Sequence, residues 1–198
     1  MKKLFSIIVL VLSIKTIAQI DSTKTFALSI EGNYPKSLGD NFLNKGYKPN
    51  NGFALEAQVN TKKIFFGVGY KKVNYVVINN LIIGDFKSAE LQVNYLFGGY
   101  RHYIKNKKLF LEHRLGLGLN TLCSFSNLSK YKITGKSAFI GSKINYNFIS
   151  KLNFYLGLDF YSSKYDVSVA APYKNFYTKT YQIEPKIGIK FLMGTKTK

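Results

Sequence analysis

Charged side chains alternate with apolar ones through much of this chain, and their spacing is the clearest indication of chemistry. Between Leu109 and Leu122, leucine takes most odd positions while Glu112 and Arg114 take even ones. Opposite charges that share one face of a strand favour ion pairing in a closed interior, because a buried charge needs a partner. We expect this lumen charge network to contain Glu31, Glu56, Lys71, Glu90, Glu112, Arg114, Lys143, Asp159, Glu184, Lys186 and Lys190.

The two histidines give little indication of catalysis. His113 lies between Glu112 and Arg114, and neighbours along an extended strand point to opposite faces. His102 lies in the basic-aromatic sequence Tyr100–Tyr103, which is typical of an interface. A serine hydrolase needs a nucleophile, a base and an acid that converge, and zinc proteases need histidines at HExxH spacing. We therefore expect no catalytic residues, no metal ligands and no bound cofactor.

Alternation of apolar and polar residues with period two recurs along the chain and predicts β-strands. No segment of useful length has helical periodicity. The eight alternating segments begin near Phe26, Phe53, Ile64, Ala89, Leu109, Ala138, Leu152 and Tyr181.

The links between these segments alternate in length. Short turns are predicted near 61–63, 105–107 and 149–151, and longer links near 35–50, 74–86, 122–136 and 166–179. The 74–86 link could be a loop or a strand hairpin that turns at Asn79 and Asn80. An even number of strands with short turns on one side and long loops on the other is typical of outer-membrane barrels. We predict an all-β fold, an eight-stranded antiparallel up-and-down transmembrane β-barrel.

Facing and register follow from the same pattern. The fourth segment is predicted to turn its apolar residues from Ala89 to Phe97 toward lipid and Glu90 toward the lumen. If the next hairpin turns at Asn106, His113 lies opposite Gly99. On the fifth segment we expect Leu117→Arg, facing lipid, to cost more stability than Gly116→Ser, facing the lumen.

Aromatic residues near both ends of the apolar faces support a membrane barrel. Two girdles of aromatic residues, one on each side of an aliphatic band, are expected at the two membrane interfaces. A soluble sandwich or lipocalin-like barrel would turn its apolar faces inward and would not need these girdles. The predicted lipid-interface aromatics are Phe26, Tyr34, Phe53, Phe66, Tyr70, Phe97, Phe148, Phe154, Phe160, Tyr181 and Phe191.

The N-terminal residues predict export. Lys2 and Lys3 precede an apolar run at 4–14 and a small-residue site near Ala18, which is the pattern of a cleaved signal peptide. We assign residues 1–19 to the signal peptide, cleaved near 18–19, and residues 20–198 to the barrel domain. The formal charge of +19 alone would suggest nucleic acid. An exported chain does not meet the genome, so we expect no nucleic-acid partner.

The central hairpin resembles a known family. Glu90-Leu91, Tyr100–Tyr103 and Leu115–Gly118 resemble the Bacteroidota outer-membrane β-barrel domain, which includes the PorT-like and OmpA-like eight-stranded barrels. The ending at 187–193, "IGIKFLM", resembles the terminal strand of that family. The resemblance implies an outer-membrane location and, for most members, no established activity.

An eight-stranded barrel has a lumen just wide enough for side chains, so no general pore is expected. We therefore predict a non-enzymatic protein with a structural or binding role exerted through its extracellular loops. Expected partners are outer-membrane lipid and lipopolysaccharide, because lysine makes charge-assisted contacts with phosphate, and possible partners include an unknown envelope protein. Two alternatives stay open: a barrel component of a secretion or envelope assembly, as in PorT-like proteins, and a soluble lipocalin-like carrier.

Overall fold

A computed structural model describes residues 25–61, 63–104 and 108–193 of the 198-residue chain. The predicted signal peptide, its cleavage site and the turn at 105–107 lie outside these residues. Among the described residues, no helix has both the length and the apolar character needed to span a bilayer.

Most of the described chain forms β-strands. The strands are β1 (Thr25–Asn33), β2 (Lys36–Leu38), β3 (Tyr47–Asn60), β4 (Ile64–Val77), β5 (Ser88–Tyr103), β6 (Leu109–Phe125), β7 (Lys130–Ile149), β8 (Leu152–Tyr165) and β9 (Lys179–Met193). Each long strand pairs antiparallel with the next one, and β1 pairs with β9 to close the sheet.

The short strand β2 continues β1 and does not add a ninth strand to the wall of the barrel. Asn33 lies opposite Lys186 and Lys36 lies opposite Ile183, so β1 and β2 keep one register along β9. The break falls at Pro35, which has no backbone N–H to donate to the ladder. The wall therefore has eight strands, and the predicted antiparallel up-and-down barrel is confirmed.

The barrel is polar inside and apolar outside. On β8, Tyr155 and Asp159 are buried in the lumen, whereas Leu156 and Leu158 are exposed on the outer wall. This is the reverse of a lipocalin-like carrier, which holds its ligand in an apolar interior. Seven of the eight predicted segments turn the predicted face outward.

Strand β5 is the exception, and the prediction for it was wrong. Its apolar residues, including Phe97, point into the barrel, while Glu90 lies on the outer wall. The cause is a shift of one residue in the β5–β6 register: Arg114, rather than His113, lies opposite Gly99. Because side chains alternate with period two, a one-residue shift turns every side chain of the strand to the other face.

The long-loop end of the barrel carries a folded cap. Its helices are α1 (Phe42–Gly46), α2 (Asn80–Ile83), the 3₁₀ turn Ala171–Tyr173 and α3 (Lys174–Thr178). The Ile78 N–H donates to the Gly46 carbonyl at 2.9 Å, and the Tyr177 hydroxyl donates to the Ile82 carbonyl at 3.1 Å. These bonds hold three separate loops together over the mouth of the barrel.

For the 74–86 link the structure has the hairpin, which is one of the two predicted alternatives, whereas the link predicted at 122–136 differs from the structure. The 74–86 link is an extended hairpin in which β4 runs to Val77, β5 begins at Ser88, and α2 lies near its tip. The link predicted at 122–136 is shorter, because β6 continues to Phe125 and β7 begins at Lys130. Polar residues in both segments belong to strands that extend past the apolar band, where water can solvate them.

Candidate functional site

The most ordered chemistry of the molecule is a network of ion pairs inside the barrel. Its larger part joins four carboxylates and four basic side chains, so that its formal charges cancel. All eight are almost completely buried: Glu31, Glu56, Asp159, Glu184, Lys71, Arg114, Lys143 and Lys186.

Lys186 on β9 lies at the centre of this group. Its Nζ is 2.8 Å from a carboxylate oxygen of Glu31, 2.8 Å from one of Asp159 and 3.1 Å from one of Glu184. Glu184 is also paired with Lys71 at 2.6 Å. One ammonium group thus links acids from β1, β8 and β9.

Arg114 and Lys143 complete the links across the lumen. The guanidinium of Arg114 reaches Glu56 at 2.5 Å and Asp159 at 2.6 Å. Lys143 reaches Glu31 at 2.9 Å and Glu56 at 2.7 Å. Because these pairs join strands that are not neighbours in the sheet, the network braces the barrel across its interior.

A smaller group lies nearer the short-turn end. Glu112 accepts from Arg101 at 2.6 Å and from Lys190 at 2.5 Å. Arg101 was missed by the sequence reasoning, because the predicted register turned the even positions of β5 inward. Its position opposite Glu112 in the correct register was the signal that could have identified it.

Aromatic side chains line the lumen around these charges. The Tyr95 hydroxyl donates to Glu56 at 2.8 Å, and the Tyr155 hydroxyl donates to Glu31 at 2.8 Å. The Arg114 guanidinium lies 5.2 Å from the centre of the Phe97 ring. Phe97, predicted at the lipid interface, is therefore a lumen residue that contacts a cation through its ring face.

Above the charges, toward the long-loop end, the lumen becomes apolar. Leu91, Leu122 and Tyr75 are buried there together with Phe42 of the cap. The described lumen side chains of both layers have almost no contact with water. The interior of the described part of the barrel is therefore occupied by packed side chains.

Glu90 is the one residue of the predicted network that lies outside both groups. The outer-wall position puts its carboxylate 2.6 Å from the Nζ of Lys72, with both side chains partly exposed. The structure therefore brings together ten of the predicted charged residues, adds Arg101 and separates Glu90.

The predicted interface aromatics lie on the outer wall, apart from Phe97. Phe26 and Tyr70 are half-buried there. The exposed members are Tyr34, Phe53, Phe66, Phe148, Phe154, Phe160, Tyr181 and Phe191. They surround exposed aliphatic residues such as Leu96 and Leu117.

A histidine–serine pair is present on the outer wall. The Nδ1 of His113 lies 2.8 Å from the Ser142 hydroxyl, and both side chains face outward. The nearest acid in sequence, Glu112, points into the lumen and pairs with Arg101 and Lys190. In an activated nucleophile, a third group orients the base. Glu112 does not orient His113, so the pair is a hydrogen bond between two interfacial side chains.

The described residues give no indication of a metal site. In the part of the chain that the structure describes, no group of three histidine, cysteine, aspartate or glutamate side chains could hold a metal ion. The single cysteine, Cys123, is buried.

Solved structures share this architecture. The chain is 12% identical to Neisserial surface protein A (NspA), with a TM-score of 0.57 over 84% of this chain and 96% of that one. It is 10% identical to a major outer membrane protein from Thermus thermophilus, with a TM-score of 0.55, 85% of this chain and 99% of that one. It is 12% identical to Ail, the attachment invasion locus protein of Yersinia pestis, with a TM-score of 0.51, 86% of this chain and 97% of that one. No family model and no curated protein matches the sequence. At these identities the likeness is one of fold.

Proposed function

We propose that this chain is an integral outer-membrane protein without enzymatic activity, whose role is structural or depends on binding at its capped, long-loop end. The outer wall supports membrane insertion. Exposed leucines such as Leu117, 68% exposed, form an apolar band between aromatic residues, and lipid is the solvent that such a surface requires. The solved barrels with the same fold include proteins named for the outer membrane.

The filled lumen is the observation that carries the non-pore part of this proposal. A pore needs a continuous polar path, whereas here Lys186 and Arg114 cross-link the walls and the apolar cap closes one mouth. Opening a polar path through the lumen would separate several buried ion pairs at once. Binding or mechanical roles do not require such an opening.

A second candidate is a barrel component of a secretion or envelope assembly, as the PorT-like resemblance implies. Exposed apolar side chains at the long-loop end favour it. Leu81 at the cap and Leu128 in the β6–β7 turn are each 99% exposed, and Tyr173 is 61% exposed. Such residues above the apolar band are suited to contact with another envelope protein.

Lipid and lipopolysaccharide are the proposed partners of the outer wall. The lumen takes up five of the ten acids of the chain, namely Glu31, Glu56, Glu112, Asp159 and Glu184. The lumen also takes up six of the 29 basic residues, so the rest of the chain keeps a large excess of lysine over acid. Lysine ammonium groups make charge-assisted hydrogen bonds with phosphate, which supports contact with phosphorylated lipid.

Fractionation and conductance test this proposal together. The protein is expected in the outer-membrane fraction, and it should migrate differently in gels when unboiled and when boiled. Purified protein in planar bilayers should give no channel steps above background. Recovery in the soluble fraction with one mobility would overturn the membrane location, and steady open channels would overturn the closed lumen.

Crosslinking in intact cells separates the two candidate roles. A component of an assembly should give a discrete crosslinked product from a lysine-reactive reagent, and Leu81→Asp should reduce its yield. A barrel that acts without a protein partner should give no discrete product. Leu81→Ala serves as the control for folding, because it removes an exposed side chain without adding charge.

A further inference from the structure

Three lysines form a row on the outer wall near the long-loop end. Lys136 on β7 lies directly opposite Lys164 on β8, and Lys164 lies directly opposite Lys179 on β9. All three side chains face outward and are exposed. Directly opposite residues share a face and have Cβ atoms about 5 Å apart, so the three side chains leave the wall at neighbouring positions.

The described acids form no ion pair with this row. Within the described residues, none of the three lysines has a carboxylate within 4.0 Å, and Asp166, two positions beyond Lys164 on the same face, forms no ion pair either. Like charges directly opposite on neighbouring strands destabilise a sheet, which an anion between them would relieve.

Lys72 shows the contrasting case on the same wall. It lies two residues beyond the interface residue Tyr70, just as Lys179 lies two residues from Tyr181. Lys72, however, is neutralised by Glu90 at 2.6 Å. Lys72 is therefore a lysine of the same wall whose charge is already neutralised, in contrast to the three lysines of the row.

The lysine row borders the apolar band. Lys136 lies opposite Leu119 and lines a shallow groove of about 1120 Å³ in the outer wall. Leu96, Leu117 and Tyr70 also line this groove, which is almost entirely apolar. An occupant that satisfies both features has a negatively charged head and long hydrocarbon chains.

We infer that Lys136, Lys164 and Lys179 bind the phosphorylated headgroup of a membrane lipid whose acyl chains cover the apolar wall beside them. The inference rests on the proposed membrane location and names a lipid class and a place for it on the wall. Ammonium–phosphate contacts are charge-assisted and act at short range. The groove beside Lys136 supplies the apolar contact that a free phosphate ion cannot use.

The test measures how a defined lipid stabilises the full-length folded protein in detergent. Diphosphoryl lipid A is compared with its dephosphorylated form, and stability is read as the temperature at which the unboiled gel band is lost. Diphosphoryl lipid A should raise this temperature for the native protein. For the triple variant Lys136→Gln/Lys164→Gln/Lys179→Gln, half-maximal stabilisation should need on the order of 100-fold more lipid. Lys72→Gln is the matched control and should need about the native amount.

Several outcomes would overturn the inference. Equal stabilisation of the native protein and the triple variant, or equal effects of the two lipids, would rule out the contact between these lysines and the lipid phosphates. Equal stabilisation by inorganic phosphate alone would show a free-anion site. In detergent without lipid, the triple variant should be at least as stable as the native protein, because it loses repulsion; lower stability would indicate a structural role.

Folding and location are controlled separately. If the triple variant does not fold, Lys164→Gln alone removes the middle charge, and about fivefold more lipid should then be needed. Failure of the membrane proposal would appear as a soluble native protein with one gel mobility. Failure of the lipid inference would instead appear as a folded, membrane-located barrel that does not distinguish the two lipids.

Discussion

At the scale of single residues, the lumen charges stabilise the barrel only as a set. Lys186 contacts three carboxylates, and each of these has at least one further basic partner. Charges removed from water this completely are compensated only by partners at short distance. Losing one cation therefore leaves the buried group with one negative charge that no basic side chain balances and that water does not reach.

Replacing Lys186 by methionine should lower the free energy of unfolding by about 3–5 kcal/mol, because Glu31, Asp159 and Glu184 would lose a shared partner. Denaturant titration of the barrel reconstituted in vesicles measures this change. The matched control is Lys72→Met, whose pair with Glu90 is partly exposed and should cost no more than about 1 kcal/mol. Similar losses in the two variants would contradict a stabilising role for the buried network.

At the scale of the strand, the orientation of β5 depends on its register with β6. The polar residues Glu90 and Asn94 lie on the outer wall, in the half of β5 that is nearer the long-loop end. Inside, Val93 and Tyr95 fill the lumen. Their alternation is evident in the sequence, but alternation has the same period whichever face is buried.

Cysteine reactivity tests this orientation directly. In a Cys123→Ala background, Asn94→Cys should react with an uncharged maleimide in the folded protein, because position 94 is exposed. Val93→Cys should react only after unfolding, since Val93 is 2% exposed. Mass spectrometry measures the modified fraction. Fast reaction at position 93 with protection at 94 would restore the facing predicted from the sequence.

On β6, the comparison between the two wall faces changes with the structure. Leu117→Arg should cost about 2–4 kcal/mol in a bilayer, because it places a charge among acyl chains. Gly116→Ser is not the mild change that lumen facing suggested. A Cβ at Gly116 would collide with the Phe139 ring and would lie 2.5 Å from the Leu96 carbonyl oxygen. We now expect both variants to be destabilised in vesicle unfolding titrations, and Leu117→Ile to remain near the native stability.

At the scale of the whole molecule, the barrel has two interior layers of different chemistry. Salt bridges occupy the region toward the short-turn end, and an apolar core with the cap closes the long-loop end. Phe42 joins the cap to the wall, because its ring contacts Tyr47 and Tyr165 on the wall strands and Tyr177 within the cap. The cap can therefore lose its packing while the charge network keeps the barrel closed.

Phe42→Ala should open the cap without unfolding the barrel. Loss of a buried phenylalanine costs about 3–5 kcal/mol, and here the loss is local to the loops. Limited proteolysis should cut the 34–46 loop faster than in the native protein, while the unboiled gel mobility stays unchanged. The exposed Leu81→Ala is the control and should leave the cleavage rate as it is. Complete loss of the unboiled band in Phe42→Ala would show that cap and barrel fold as one unit.

Local alternation was enough to determine the fold class, the eight wall strands and the facing of seven of them. It identified ten of the buried charges, because a charged residue that alternates with exposed leucines has only the lumen left to occupy. It could not identify Arg101 or exclude Glu90 and Phe97, since these depend on the β5–β6 register. Register is set by hydrogen bonding between strands and by turn length, and one residue reverses it.

Only the tertiary structure decided which acid meets which base. Lys186 and Glu31 lie 155 residues apart in sequence and come together because β1 closes the sheet against β9. The row of Lys136, Lys164 and Lys179 arises in the same way, from three strands in register. A sequence shows how residues alternate along one strand, whereas contacts across strands exist only once the barrel has closed.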